Sequence, residues 1–463
     1  MKYIFTTLVG YLFISCGFTD APETDTYFGG QIINPKEKFV LLLKDDTIID
    51  TLYLNSENKF ISNYKNISEG LYTFKHGIEF QYVYLEPNDS VLVRLNTWDF
   101  DESVVFSGKG SNKNEFLINL FLKSEKEEKQ LFHYFKLNEN DFNSKLDSLA
   151  KERLQLLDEF EASEGTISDN FEKLTKAAIN FPLYRLKEIY PYFFRKAHNL
   201  KEFPVLSDHF YDFRKEIDLN KEDYISFYPY QNYVVSYLYN LTYQKEDSEI
   251  SKNNLTINLL KTIIENIHSE EFKNTLLKRV VVNDFLKSES SYTIHQPTLN
   301  LFLENCTNKT YLKQVNQLVE DSKKVENNKA LINFEIQSSD QNLYSINEII
   351  KNKNTAIYFW TTEFMSSEYL VKRIKYLKNQ YPTIQFIGIN MQSSFHEIRS
   401  EPYLKKFDIL QQFRLTKTSE AHSFLTSQYP RVILVNRKGI VKNGFTFLDS
   451  NKLHSELAKL QIN

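Results

Sequence analysis

The sequence predicts a multidomain α+β protein, with an N-terminal antiparallel β domain, a central helical domain and a C-terminal α/β domain. Three observations lead there. The chain has 463 residues, which at about 100–200 residues per domain makes two or three domains. Up to about residue 107, short apolar runs with period-two character alternate with turn signals, the pattern of β-strands. From residue 112 to about 326 the apolar spacing becomes helical, and beyond it strand-like and helix-like segments alternate. The expected division is residues 1–15 as a signal peptide, 16–26 as a tether, 27–110 as a small β-sandwich or barrel, 111–326 as the helical domain and 327–463 as the α/β domain.

Composition excludes several classes of function. There are 56 Lys and Arg against 60 Asp and Glu, with no polybasic stripe, so nucleic-acid binding has no electrostatic footing. Hydrophobic residues at 41% and aromatics at 15% supply ample core and argue against disorder. The richness in Lys, Asn, Ile and Phe reads as coding bias rather than function. The nine histidines show no metal-ligand spacing, and there is no Walker loop or Gly-rich dinucleotide fingerprint. No metal and no cofactor are expected. The two cysteines are Cys16 and Cys306.

At the N-terminus, Lys2 precedes an apolar run from Tyr3 to Ile14, too short to span a bilayer at about 20 residues. The segment Phe13-Ile14-Ser15-Cys16 resembles the lipobox of bacterial lipoproteins, with Phe13 where Leu is usual. That resemblance implies a lipid on Cys16, a membrane anchor, and a place in the cell envelope on the periplasmic face or the cell surface. The other reading is an ordinary signal peptide. The acidic, Pro22-containing stretch Gly17–Asp25 suits a tether and resembles the surface-export signal of Bacteroidetes lipoproteins.

Strands are expected around Phe39–Leu43, Ile48–Leu54, Tyr72–Phe74, Phe80–Leu85 and Val91–Leu95. Turn signals at Lys44-Asp45-Asp46, Glu69-Gly70 and Pro87-Asn88-Asp89 separate them. Leu85–Ser90 and Phe106–Ser111 resemble the small β domain that precedes thioredoxin-like domains in Bacteroidetes lipoproteins. In the helical region, Phe116, Leu117, Leu120 and Phe121 share a face, as do Leu146, Leu149, Leu154 and Leu157, and Leu259, Leu260, Ile263, Ile264 and Ile267. Pro182, Pro191, Pro204 and Pro229 are expected between helices. The aromatic clusters Tyr190–Phe194 and Phe227–Tyr230 read first as core and second as the lining of a groove.

In the last third, strands are expected at Leu331–Ile336, Thr355–Trp360, Ile384–Asn390, Arg431–Asn436 and Ile440–Phe445. A helix over Ser366–Tyr381 buries Tyr369, Leu370, Ile374 and Leu377, and a last helix carries Leu453, Leu457 and Leu460. Between Asn390 and Arg431 a helical insertion is expected, ending in a helix over Ala421–Gln428.

Phe359-Trp360-Thr361-Thr362, the segment Leu343–Ile350 and Tyr429-Pro430 before an apolar strand resemble the TlpA/ResA-like branch of thioredoxin-fold proteins. The resemblance covers about 130 residues. In that family the lead-in is followed by Trp-Cys-x-x-Cys. Here Glu363-Phe364-Met365-Ser366-Ser367 follows, placing Phe364 at the nucleophilic cysteine and Ser367 at the resolving one. Dithiol exchange needs a thiolate and a second thiol, so the resemblance implies a redox-inactive domain with no catalytic residue. It also implies a peptide groove at Trp360, Glu363, Tyr429 and Pro430, and a cis Tyr429–Pro430 bond. Ser366 is the natural N-cap. His396 and His422 lack any accompanying nucleophile signature.

The function expected is a membrane-anchored envelope lipoprotein whose degenerate domain binds an envelope protein or peptide, or acts as a scaffold. The alternative is a TlpA-type thiol-dependent oxidoreductase in redox homeostasis, using Cys306 alone or an external thiol. An exposed Cys306 near Phe364 or Pro430 favours the alternative, and a buried one far from both removes it.

Overall fold

The computed structural model describes residues 24–462, apart from 78, 245–251, 288–294, 362–364, 392–410, 428 and 451. The signal peptide, Cys16 and most of the tether therefore lie outside the described residues.

The first part is a sandwich. Its strands are β1 (Asp25–Ile33), β2 (Phe39–Lys44), β3 (Thr47–Tyr53), β4 (Lys59–Lys65), β5 (Gly70–His76), β6 (Glu79–Leu85), β7 (Ser90–Asn96) and β8 (Val105–Ser107). They form two four-stranded sheets, ordered β4-β1-β7-β8 and β3-β2-β5-β6. Alternating side chains such as Phe28, Val40, Leu42, Phe74, Val91 and Val93 fill one core between them. Asp45 and Asp46, both with positive φ, make the tight β2–β3 turn. Three details depart from expectation. β1 begins at Asp25, so the last residues assigned to the tether are already strand. β4 carries few apolar residues and shows little period in the sequence. The sheets are also not wholly antiparallel, because β1 and β7 pair parallel. Between them the chain passes through the other sheet, so β7 arrives beside β1 without a hairpin.

The helices follow: α1 (Ser111–Glu128), α2 (Leu131–Tyr134), α3 (Glu139–Glu164), α4 (Asp169–Ala197), α5 (Tyr228–Gln244), α6 (Lys252–Asn266), α7 (Glu270–Lys287), α8 (Gln296–Asn305) and α9 (Lys309–Lys324). Side chains of Asn138, Ser168 and Asn308 cap α3, α4 and α9. Pro182 and Pro191 do not separate helices; both lie inside α4. An interior proline costs about 3 kcal/mol. Burial of Phe181, Leu183, Leu186 and Tyr190 on the same helix offsets this at about 1.5–3 kcal/mol per side chain. Pro229 sits in the first turn of α5, where its missing N–H costs nothing. Tyr84 of β6 joins the helical core. Asn114 of α1 receives the Tyr84 N–H at 2.6 Å and donates to its carbonyl at 2.9 Å, so α1 is pinned to the sandwich.

The last part contains β9 (Glu335–Gln337), β10 (Leu343–Ser345), α10 (Ile346–Ile350), β11 (Thr355–Trp360), α11 (Ser367–Gln380), β12 (Gln385–Asn390), β13 (Gln412–Leu415), β14 (Arg431–Val435), β15 (Val441–Thr446) and α12 (Leu453–Ile462). The sheet order is β10-β9-β13-β12-β11-β14-β15. β11 runs parallel to β12 and antiparallel to β14, and β15 returns beside β14. Leu370, Ile374 and Leu377 of α11 and Leu453, Leu457 and Leu460 of α12 cover one face. Phe334, Ile346 and Phe424 cover the other. Both faces are thus shielded, which is why β11 reads as an unbroken apolar run. This is the strand and helix order that the thioredoxin resemblance implies.

Several local expectations fail here. Leu331–Phe334 precedes the first strand rather than forming it. A strand, β13, stands within the segment read as a helical insertion. The helix expected over Ala421–Gln428 is a short 3₁₀ turn, Glu420–Ser423. Tyr369 is 40% exposed and leaves the apolar face to bond Asp449. The chain entering this part lies along β15: Asn328 N–H donates to the Val441 carbonyl at 2.7 Å, and Leu331 N–H to that of Gly439 at 2.9 Å.

Candidate functional site

β11 delivers Trp360 to the position where the family's redox motif would begin. Trp360 and Thr361 are buried. Glu363 and Phe364 lie outside the described residues. Beyond them Met365 is buried, and Ser366 caps α11 by accepting from the Tyr369 N–H at 3.3 Å. Ser367, at the position of the resolving cysteine, is the first residue of α11 and is buried. His422 is bound through Nε2 to the Thr416 carbonyl at 2.8 Å, and His396 lies outside the described residues.

The pairing of Phe359 with Arg431 sets Tyr429 and Pro430 beside the end of β11. No peptide bond among the described residues is cis, so Tyr429–Pro430 is trans, contrary to expectation. The cause lies in what holds this loop. Tyr429 packs against the core of the helical region rather than lying as a free rim of a groove. Burial, and secondarily Tyr311, push its phenol pKa up. Just before it, the buried carboxylate of Asp321 in α9 accepts four bonds: Thr426 N–H at 3.1 Å, Thr426 Oγ1–H at 2.7 Å, Ser427 N–H at 2.8 Å and Ser427 Oγ–H at 2.6 Å. The buried Arg431 guanidinium donates to the Phe424 carbonyl at 2.7 Å, to that of Gly444, and to the Asp321 main-chain carbonyl at 3.5 Å. At Gly444 a Cβ would lie 1.9 Å from the Val325 carbonyl oxygen, so glycine is required for this close approach.

The loop expected to receive a peptide is therefore bound by α9 of the same chain. Nothing in the sequence flagged this. Asp321 sits in a charged helix end that reads as solvated, and Arg431 opens an otherwise apolar strand.

Cys306 is buried in the helical core at the end of α8. Burial pushes its thiol pKa up, the opposite of what a nucleophilic thiol needs. Among the described residues no group of three or more His, Cys, Asp or Glu is placed to hold a metal ion, and no helix is long and apolar enough to cross a membrane.

The chain matches no protein-family model and no curated protein. Part of it is similar to solved thiol-disulfide proteins. A thiol:disulfide interchange protein from Bacteroides sp. is 18% identical over 30% of this chain and 92% of that one, with a TM-score of 0.24. The thioredoxin domain of a thiol-disulfide oxidoreductase from Bacteroides vulgatus is 19% identical over 26% of this chain and 86% of that one, with a TM-score of 0.21. A secreted Mycobacterium tuberculosis disulfide oxidoreductase is 14% identical over 27% and 95%, with a TM-score of 0.21. The thioredoxin-like reading rests on the strand order and helix placement given above.

Proposed function

We propose that this chain is an envelope lipoprotein, anchored through Cys16, whose thioredoxin-like domain performs no dithiol exchange and serves as a scaffold. The observation that carries this is the pair of residues at the two thiol positions, Phe364 and the buried Ser367. Neither ionises in the range where a thiolate would attack. Of the two binding roles, the geometry favours scaffolding over peptide capture. Tyr429 and the Thr426–Ser427 turn are engaged by the helical region, which makes the would-be groove a seam between parts of one chain. Pro430 is buried next to Tyr429, and Trp360 is buried in the core under α11 and α12, away from that seam. The acidic tether holds these parts off the membrane.

Insulin reduction with dithiothreitol tests the redox claim. The expected rate equals that of dithiothreitol alone, and a rate comparable to that of an active thioredoxin overturns it. Mass spectrometry of the mature N-terminus tests the anchor. An acylated Cys16 supports it, and retention of Cys16→Ala in salt-washed membranes contradicts it.

A further inference from the structure

A cavity of about 430 Å³ opens in the helical region between the C-terminal half of α4, the loop after it and the end of α5. That volume lies in the range of small-ligand sites, about 300–1,000 Å³. Its walls include Phe203 and Tyr243, whose ring centroids are 5.7 Å apart. Its floor is polar and is built on a buried ion pair. Glu188 of α4 is fully buried. Its carboxylate accepts from Arg214 Nε at 2.8 Å and from a second Arg214 nitrogen at 2.5 Å. Asn240, also buried, donates from Nδ2 to Glu188 at 2.7 Å and to the Tyr211 hydroxyl at 3.0 Å. The Arg214 guanidinium lies 3.8 Å from the Tyr211 ring centroid, so one cation fixes both partners of Asn240.

This arrangement leaves hydrogen-bonding capacity facing the cavity. The carboxylate of Glu188 requires the amide nitrogen of Asn240 on its side, which turns Oδ1 away. No described residue donates to that oxygen. The Tyr211 oxygen accepts from Asn240 and also meets the Gln244 side chain, and burial pushes its pKa up, which keeps its own proton on the oxygen. An acceptor and a donor therefore stand side by side below aromatic walls, with the Gln244 amide on the rim. A buried ion pair adds little net stability compared with apolar packing. Here it holds two groups in fixed positions, as a binding site needs.

We propose that this cavity binds a neutral sugar ring of a saccharide. A sugar hydroxyl accepts and donates at once, matching Tyr211 O–H and Asn240 Oδ1 together, and the C–H groups of the ring suit the apolar margins of Phe203 and Tyr243, which are held in place by Arg195 over Phe203 and Tyr192 stacked on Tyr243. The polar groups converge on one floor rather than running along a groove, which fits a ring better than an extended peptide.

Saturation-transfer NMR on the full chain tests this with maltotriose, cellotriose, chitotriose and mannotriose, and with a proline-rich peptide as the competing class. Transfer to ring protons of at least one saccharide is expected. It should fall at least tenfold in Tyr211→Phe and Tyr243→Ala and severalfold in the rim variant Gln244→Ala, with thermal midpoints confirming that each variant is folded. Transfer to none of the four saccharides, equal transfer in folded Tyr243→Ala, or transfer to the peptide alone overturns the proposal.

Discussion

His76 shows how one buried side chain couples this fold to pH. It is 1% exposed. Its Nε2 accepts from the Lys36 N–H at 2.9 Å and the Glu37 N–H at 3.3 Å, while Nδ1 donates to the Phe39 carbonyl at 2.9 Å. A protonated ring cannot accept, so charging it breaks both bonds that tie the β1–β2 connection to β5. Burial accordingly lowers its pKa below 6.5. The unfolded chain then binds the proton more readily than the native one. The stabilisation is complete above the unfolded value near 6.5 and is lost as pH falls through the depressed native value. NMR titration should place the His76 ring below 6.5. His76→Gln should cost about 1–3 kcal/mol at pH 7.5 and should remove part of the loss between pH 7 and 5. Asp101, pushed up to about 6 chiefly by burial, acts with the opposite sign, so the variant comparison rather than the raw profile isolates His76.

At the scale of elements, the joint between α9 and the turn before β14 is the sharpest test. Asp321→Ala leaves two N–H groups and two hydroxyls without their acceptor, and urea unfolding should show a loss of about 2–5 kcal/mol. Ser366→Ala removes one capping bond from α11 and should cost about 1 kcal/mol. A loss of under 0.5 kcal/mol for Asp321→Ala would mean that water replaces the carboxylate and that the joint is loose. These two residues also mark the limit of what sequence patterns disclose. Ser366 announces itself because capping is local, and β11 does so because double burial makes every residue apolar. The strands β4 and β13 are short on apolar residues and owe their place to partners distant in the chain. Asp321 is a surface-type residue made internal only by tertiary contact, and no period reports that. The trans Tyr429–Pro430 bond belongs with it, since local family pattern pointed to cis and a neighbouring helix decided otherwise. The floor of the helical cavity was equally hidden. The pattern of Tyr190–Phe194 is that of core, which holds for Tyr190, while Pro191 lines the cavity.

At the scale of the molecule, the helical and C-terminal parts share one core. Tyr429 and Phe445 both pack into the helical cluster, and Phe445 stacks edge-on against Phe285 at 5.0 Å. Calorimetry of the chain should therefore show these parts melting in a single transition, with no separate transition for the C-terminal part. A fragment of residues 327–463 exposes Tyr429 and Phe445, and should melt lower and bind a hydrophobic dye that the intact chain does not. An unchanged midpoint for the fragment would make the two parts independent domains.

The segment that lies along β15 has a consequence for solubility. β15 is the last strand of its sheet, and an uncovered last strand offers its amides and carbonyls to any passing chain. Residues 328–331 occupy the start of that row, at Gly439–Val441, with a bridge between Ala330 and Ile440, and they bring no strand-forming run of their own that would recruit another. At the opposite margin, β10 is only three residues long, too short to template much. A chain trimmed to begin at residue 332 keeps every strand yet uncovers the start of the first margin. It should precipitate or form fibres at concentrations where a chain beginning at residue 327 stays dissolved.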